Sequence, residues 1–307
     1  MRTMTLIWLV ALITVGCKKA GEPEHAPQFG PQPPLEEAPQ TEYLFAVHPL
    51  HNPTRLFEVY QPLVDLINAQ AKDFSVKLEA SLNYAAFEDK LYHRRLHFAL
   101  PNPLQTIEAE KHGYHIFGKM GDDERFTGII LVRKDAGIQQ ISDLKGAAIS
   151  FPAPTAVAAC MMPKMFLKQH GLDVDHDCEP RYVGSQESSI MNVYRGETKA
   201  GVTWPPPWES FAAQHPEMAQ ALVVKWETEP LLNNGLVARD DVPEAHLKIV
   251  ADVFFNLHKS ETGRQILARM NLSRFEPANS ATYEPMRRFL TDYEEAFPPA
   301  PTRKAAP

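Results

Sequence analysis

The sequence predicts a two-lobed α/β chain whose ligand cleft lies between the lobes, and three observations predict it. Apolar runs of strand length alternate with helical periods from residue 42 to residue 297. That alternation reaches a long β-rich run, Thr127–Lys134, and then restarts at Ala147. A second long run, Leu231–Arg239, mirrors the first late in the chain. Strands alternating with helices imply sheets flanked by helices. Two such units joined by two long runs imply a discontinuous first lobe, 42–134 plus 234–297, and a second lobe, 135–233, linked by a two-strand hinge. Ligands of such sheets bind outside the carboxyl ends of the strands, here between the lobes.

Taken in order, the chain opens with Arg2 and the apolar stretch Met4–Gly16 before Cys17. A basic start, a short apolar segment and a small residue read as a secretory signal peptide over residues 1–17. The stretch is too short to span a bilayer, which takes about 20 apolar residues. Val15-Gly16-Cys17 resembles a bacterial lipoprotein lipobox, with Thr14 where that motif usually has Leu. The resemblance implies acylation of Cys17 and more than one lipid chain, enough for stable anchoring. Lys18, in place of the Asp that retains such proteins at the inner membrane, implies the outer membrane of a diderm host. Residues 18–41 carry Pro23, Pro27, Pro31, Pro33, Pro34 and Pro39 among polar residues, a composition expected to form a disordered, extended tether. The tail 298–307 has the same character.

Within the first lobe, Tyr43–His48 reads as a strand and Thr54–Ala71 as a helix, with Leu56, Val59, Tyr60, Leu63, Ile67 and Ala71 on one face. Phe74–Ala80, Leu96–Leu100 and Tyr114–Lys119 are strands; Tyr84–Arg94 and Pro103–His112 are helices. In the second lobe Ala147–Phe151, Glu179–Val183, Ala200–Trp204 and Leu222–Glu227 are strands, and Thr155–His170 and Gln186–Tyr194 are helices. Pro243–Lys259, Ser260–Met270 and Tyr283–Phe297 are the closing helices. Trp204-Pro-Pro-Pro-Trp208-Glu209 reads as a rigid loop at a strand end, because three prolines fix the backbone and remove donors. Trp204 there suits stacking on a ring or covering a cation, or a place in the core. Asn52 and Asn102 each follow a strand, where an Asn either meets a ligand or caps the next helix.

Composition excludes several functions. Lys and Arg number 31 against 38 Asp and Glu, a net charge of −7 with no basic stripe, so nucleic acid is not an expected partner. An anionic ligand would have to be captured locally, not by the field of the whole protein. The twelve histidines form no His-Glu-x-x-His and no Cys-x-x-Cys is present, so no metal or cofactor is expected. Gly-x-Ser-x-Gly and phosphate-loop motifs are missing, and no catalytic residue is assigned. Cys160 and Cys178 should lie at opposite ends of one helix, too far apart to pair, and are expected as buried free thiols.

Four segments then carry a family resemblance: Val47-His-Pro with Tyr60-Gln-Pro-Leu, Ile130-Leu-Val-Arg-Lys-Asp135, Ile141-Ser-Asp-Leu-Lys-Gly146 and Val193-Tyr-Arg-Gly196. In this order they resemble the phosphate/phosphite/phosphonate-type substrate-binding proteins of ABC importers, within the type II periplasmic binding fold of two mixed sheets. The resemblance implies a cleft tyrosine at Tyr84 and a second aromatic at Phe126, which lacks the hydroxyl. The family's Ser-Thr-Ser turn falls on Pro154-Thr155-Ala156, so Thr155 alone keeps its hydroxyl, over a helix start whose N–H groups suit an anion. Its histidine falls on Gln186 with Glu187 beside it, and its acidic residue on Asn234. Charge-assisted donors are about twice as strong as neutral ones, so these replacements imply a weakly charged or neutral polar solute and poor binding of methylphosphonate or phosphate, with a phosphonate as the conventional alternative. Tyr84 and Thr155 are expected to clamp it from opposite lobes.

The function expected is a lipid-anchored, monomeric solute-binding protein that delivers a small molecule to an ABC permease. The alternative is a sensing module of the same fold serving a membrane signalling receptor, and an enzyme is not expected.

Overall fold

The computed structural model describes residues 41–298; the signal segment, Cys17, most of the tether and the tail from residue 299 lie outside the described residues. The first strand, β1, is Thr41–Val47, so Thr41 belongs to the fold and not to the tether. It is followed by α1 (Pro53–Gln70), β2 (Phe74–Glu79), α2 (Tyr84–Tyr92), β3 (Phe98–Leu100), α3 (Pro103–Lys111) and β4 (Tyr114–Met120). The middle of the chain forms β5 (Ile129–Arg133), β6 (Ala148–Phe151), α4 (Met162–Gln169), α5 (Val174–Asp177), β7 (Glu179–Tyr182), α6 (Gln186–Tyr194), β8 (Ala200–Thr203), α7 (Pro205–Gln214), α8 (Pro216–Gln220) and β9 (Leu222–Glu227). The chain closes with β10 (Gly235–Arg239), α9 (Glu244–Asn256), α10 (Glu261–Arg269), β11 (Phe275–Pro277) and α11 (Glu284–Ala296).

Two mixed sheets result, in strand orders β11-β4-β10-β3-β1-β2 and β7-β6-β8-β5-β9. The expectation of two sheets flanked by helices holds. The periodic helices form as read: α1 buries Leu56, Val59, Tyr60, Leu63, Val64 and Ile67, and the Asn52 side chain accepts from Arg55 N at 2.9 Å to cap it.

The two long apolar runs take other places than expected. The run Ile129–Arg133 is not a lobe-one or hinge strand; β5 pairs antiparallel with β8 and β9 inside the second sheet. Both its faces are covered, with Ile130 and Val132 in one apolar cluster and Ile129 and Leu131 in another. Likewise β10 lies between β3 and β4 in the first sheet. The two long apolar runs mirror each other because each supplies an interior antiparallel strand, buried on both sides, to its own sheet. The chain therefore crosses at 121–128 and 228–234, and the boundary expected at Lys134 moves back to the first of these.

These crossings are tied together. Thr228 N donates to Gly128 O at 2.9 Å, Leu231 N to Phe126 O at 3.0 Å, and Asn233 Nδ2 to Gly121 O at 2.8 Å. Beneath them the buried Lys119 Nζ lies 2.9 Å from Asp123 and 3.1 Å from Glu276.

Two further local readings change. Trp204-Pro-Pro-Pro is no loop, because Pro205 is the first residue of α7. Proline is tolerated in a first helical turn, where its missing N–H would have no partner anyway and its φ is already helical. The helix expected from Thr155 begins instead with a π-helical turn, Val157–Met161, closed by Met161 N donating to Ala156 O at 3.1 Å. Pro163 cannot donate to the carbonyl four residues back, and the widened turn precedes it.

Cys160 and Cys178 are both free, as expected, although only Cys160 is fully buried. Burial pushes the Cys160 thiol up to about 12.

Candidate ligand-binding site

Residues at or beyond strand ends of both sheets converge on one cavity. From lobe one come His48 after β1, Tyr84 at the start of α2 beyond β2, and Asn102 after β3. The crossings add Phe126 and Asn234, and lobe two adds the π-helical turn, Gln186 at the start of α6, and Trp204 after β8. Tyr84, Asn102, Phe126, Gln186, Trp204 and Asn234, all singled out in the sequence, line one cavity together with His48 and the backbone of 156–159. The cavity left between these side chains is ≈ 10 Å³, about the room one water needs, so a larger occupant enters only if its walls move apart.

Each side chain has a defined partner. Gln186 Nε2 donates to the Tyr84 hydroxyl at 3.1 Å, across the lobes, and the Thr203 hydroxyl donates to Gln186 Oε1 at 2.8 Å. Asn102 caps α3 by accepting from Gln105 N at 2.9 Å, and its Nδ2 donates to Thr155 O at 2.7 Å in lobe two. It therefore caps its helix, one of the two roles foreseen for it, while its amide N–H reaches the 155 carbonyl. Asn234 Nδ2 donates to Met120 Sδ at 3.3 Å, whereas its Oδ1 is buried without a partner. The Trp204 ring meets Phe126 edge-on, centroids 5.3 Å apart, so the indole is a buried wall.

Three expected residues sit outside the cavity wall. Thr155 lies beside the π-helical turn, but its hydroxyl donates to Glu88 Oε1 at 2.6 Å. Glu187 accepts from Asn52 Nδ2 at 2.9 Å, a cross-lobe contact at the rim. Asn52 also caps α1, as an Asn after a strand does.

His48 is the residue that the sequence reading passed over, having weighed it only as a metal ligand. Its place directly after β1, at a strand's carboxyl end, was the available signal. It is 2% exposed, and burial pulls its imidazole down to about 4, leaving it neutral. Nδ1–H donates to Leu100 O at 2.9 Å, so Nε2 keeps its lone pair.

No lining side chain carries a full charge. Helix starts supply the site's electrostatics: α2, α3 and α6 begin beside it, as does the helix that continues into α4, and their first N–H groups have no acceptor within the helix while their dipoles favour negative charge. Among the described residues there is no group of three or more His, Cys, Asp or Glu able to hold a metal.

His48 sets a pH response. The unfolded chain protonates its imidazole near the ordinary value of 6.5, the folded one only near 4, so the unfolded state binds more protons between these values. Unfolding free energy is expected to fall as pH drops from 6.5 to 4, by an amount of order 3 kcal/mol for this residue. Denaturation of wild type and His48→Gln across that window checks it. Parallel curves would mean that His48 does not contribute.

The family of phosphonate ABC-transporter periplasmic substrate-binding proteins matches residues 45–283. This chain belongs to that family. Its members are binding proteins, not enzymes. A curated relative from Prochlorococcus marinus (strain MIT 9301), the probable ABC transporter phosphite-binding protein PhnD1, is 27% identical over 227 residues, covering 69% of this chain and 76% of that protein. The crystal structure of P. marinus PhnD1 with methylphosphonate superposes with a TM-score of 0.75 at 22% identity, over 83% of this chain and 99% of that one. A binding component of a Pseudomonas aeruginosa ABC phosphonate transporter gives 0.75 at 17% identity, over 83% and 87%. At these identities the superpositions establish a shared fold. Among the described residues no helix is long and apolar enough to cross a membrane.

Proposed function

We propose that this protein captures a small, weakly charged acid of the phosphonate class between its lobes, in place of the neutral solute and poor phosphonate binding expected from the sequence, and delivers it to an ABC permease as a monomer. The observation that carries this reading is the composition of the cavity wall: hydroxyl and amide groups from both lobes, gathered over the N–H groups of a helix start, with no charged side chain. Such a wall favours a single negative charge over two, because neutral donors are only about half as strong as charged ones.

In this reading the lobes close by rotation about 121–128 and 228–234. The cross-lobe contacts Asn52–Glu187 and Thr155–Glu88 then act as latches at the rim, and Asn102 reaches over to lobe two to do the same. Thr155 thus supports closure and does not grip the ligand through its hydroxyl.

Thermal unfolding against a panel of phosphonates, phosphite, phosphate and sulfonates tests the ligand class. A phosphonate at about 100 times its dissociation constant is expected to add about 2.7 kcal/mol of stability. A panel in which no phosphorus oxyacid shifts the transition would remove this reading.

Cys17 is proposed as the lipid-bearing residue that holds the protein in the periplasm at the outer membrane. In cells fed a fatty-acid analogue, Cys17→Ser is expected to lose all label and to be recovered as a soluble or uncleaved form. Unlabelled wild-type protein would show instead that the cysteine is incidental to an ordinary signal peptide.

A further inference from the structure

Besides the two crossings, the last helix joins the lobes. α11 starts in lobe one beside the second crossing, where the Tyr283 hydroxyl, one residue before the helix, donates to Asn233 O at 2.8 Å. Its first turns stay there, with Met286 fully buried in the larger apolar core and Arg287 paired with Glu110 of α3 at 2.5 Å. The helix has 13 residues, which at a rise of about 1.5 Å each carry its far end about 20 Å from that crossing. That end rests on lobe two. Lys164 Nζ and Lys168 Nζ of α4 lie over the Phe297 ring, 4.8 and 4.5 Å from its centroid, and Lys168 Nζ donates to Ala296 O. Burial, with Cys160, Asp175 and Tyr182 of lobe two as neighbours, holds the Tyr293 phenol above its ordinary value.

The contact is a specific one. Lys164 is only 4% exposed, and a buried ammonium is costly unless it is paired. Asp175 accepts from it at 2.6 and 2.7 Å, and the Phe297 ring covers it. The carbonyl end of α11 is the negative end of its dipole, which the Lys168 ammonium complements. Further back, α11 stands off α4: Phe289 and Asp292 border, with Met165 and Phe166, an apolar groove of ≈ 280 Å³. The grip on α4 therefore falls to the last turn of α11.

We propose that α11 is a strap that holds the lobes closed, fastened by Phe297 to Lys164 and Lys168. Its first turns are fixed in lobe one, so rotation of lobe two away about the crossings draws the two lysines off the ring and breaks the fastening. The cavity admits an occupant only when its walls part, so the strap opposes entry and release from a place outside the cavity. The inference rests on the closure about 121–128 and 228–234 proposed above, and not on the ligand class.

Spin-label distances between Lys77→Cys and Arg181→Cys test this in the full chain carrying Cys17→Ser and Cys178→Ser. Lys77 in β2 and Arg181 in β7 are exposed on the edge strands farthest, in each sheet, from the strands that the crossings join, so their separation changes strongly on opening. Cys160 is buried, with its thiol pushed up to about 12, and stays unlabelled. Wild type is expected to show two distances, the shorter one gaining when methylphosphonate is added. Without ligand, Phe297→Ala is expected to raise the ratio of longer to shorter at least about threefold with its unfolding transition retained. Phe297→Tyr keeps the ring face and is expected to keep the wild-type ratio. Phe297→Ala at the wild-type ratio overturns the strap while leaving closure standing. A single distance shared by every variant, with and without methylphosphonate, removes the closure reading and the strap with it. A ratio that responds to Phe297→Ala but not to methylphosphonate supports the strap and counts against the ligand class.

Discussion

Replacing Trp204 with alanine is expected to cost about 3–5 kcal/mol of unfolding free energy and to abolish ligand binding. The indole is 3% exposed and belongs by sequence to lobe two, directly after β8. It nevertheless packs into the larger apolar core that holds Phe45, Phe254 and Met161, and meets Phe126 of the first crossing. Truncation therefore opens a void at the point where both lobes and the crossing meet, where neighbours are held by separate sheets and cannot easily close in. It also removes one wall of the cavity. Urea denaturation should show a lower midpoint with an unchanged slope. Trp204→Phe should recover part of the stability by refilling part of the volume. A Trp204→Ala midpoint equal to that of wild type would mean that the lobes are not held together through this residue.

Tyr84→Phe is expected to weaken ligand binding by about 10–150-fold, the equivalent of the 1.5–3 kcal/mol that a hydrogen bond to a charged group contributes. The phenyl ring keeps the packing beside His48, whose ring centroid is 5.9 Å away, so the loss is confined to the hydroxyl. Without that hydroxyl, Gln186 Nε2 also loses its buried acceptor. Thr155→Ala should cost less in affinity, because its hydroxyl is bonded to Glu88 and not turned into the cavity. Calorimetry of both variants orders the two. Thr155→Ala as the more damaging change would place the Thr155 hydroxyl on the ligand and contradict the role given to it here.

Much of the fold was readable in one dimension. Alternation of apolar residues marks β1 and β2, and the helical period marks α1, because burial of one face is a local property of consecutive residues. The strand-end rule and the family resemblance together brought out Tyr84, Phe126, Gln186 and Asn234, which the fold gathers round one cavity. Short elements escaped. β11 spans three residues and α5 four, too few to show a period. α7 was hidden by prolines that act as a helix start and look like a loop.

Sheet membership could not be read at all. An apolar run such as Ile129–Arg133 looks the same as a hinge strand or as the interior strand it is, and its pairing with β8 and β9 is made with residues far along the chain. Hydrogen-bond direction in the site has the same origin. Gln and Asn each offer a donor and an acceptor, and nothing adjacent in sequence chooses between them. The sequence by itself determined the longer strands and helices and that they build two mixed sheets flanked by helices. Only the tertiary structure decided where the chain crosses, that Thr155 bonds to Glu88, and that Thr203 and Met120 are the partners of Gln186 and Asn234. Periodicity is written into neighbouring residues, whereas a buried polar atom is oriented by whichever partner folding brings within about 3 Å of it.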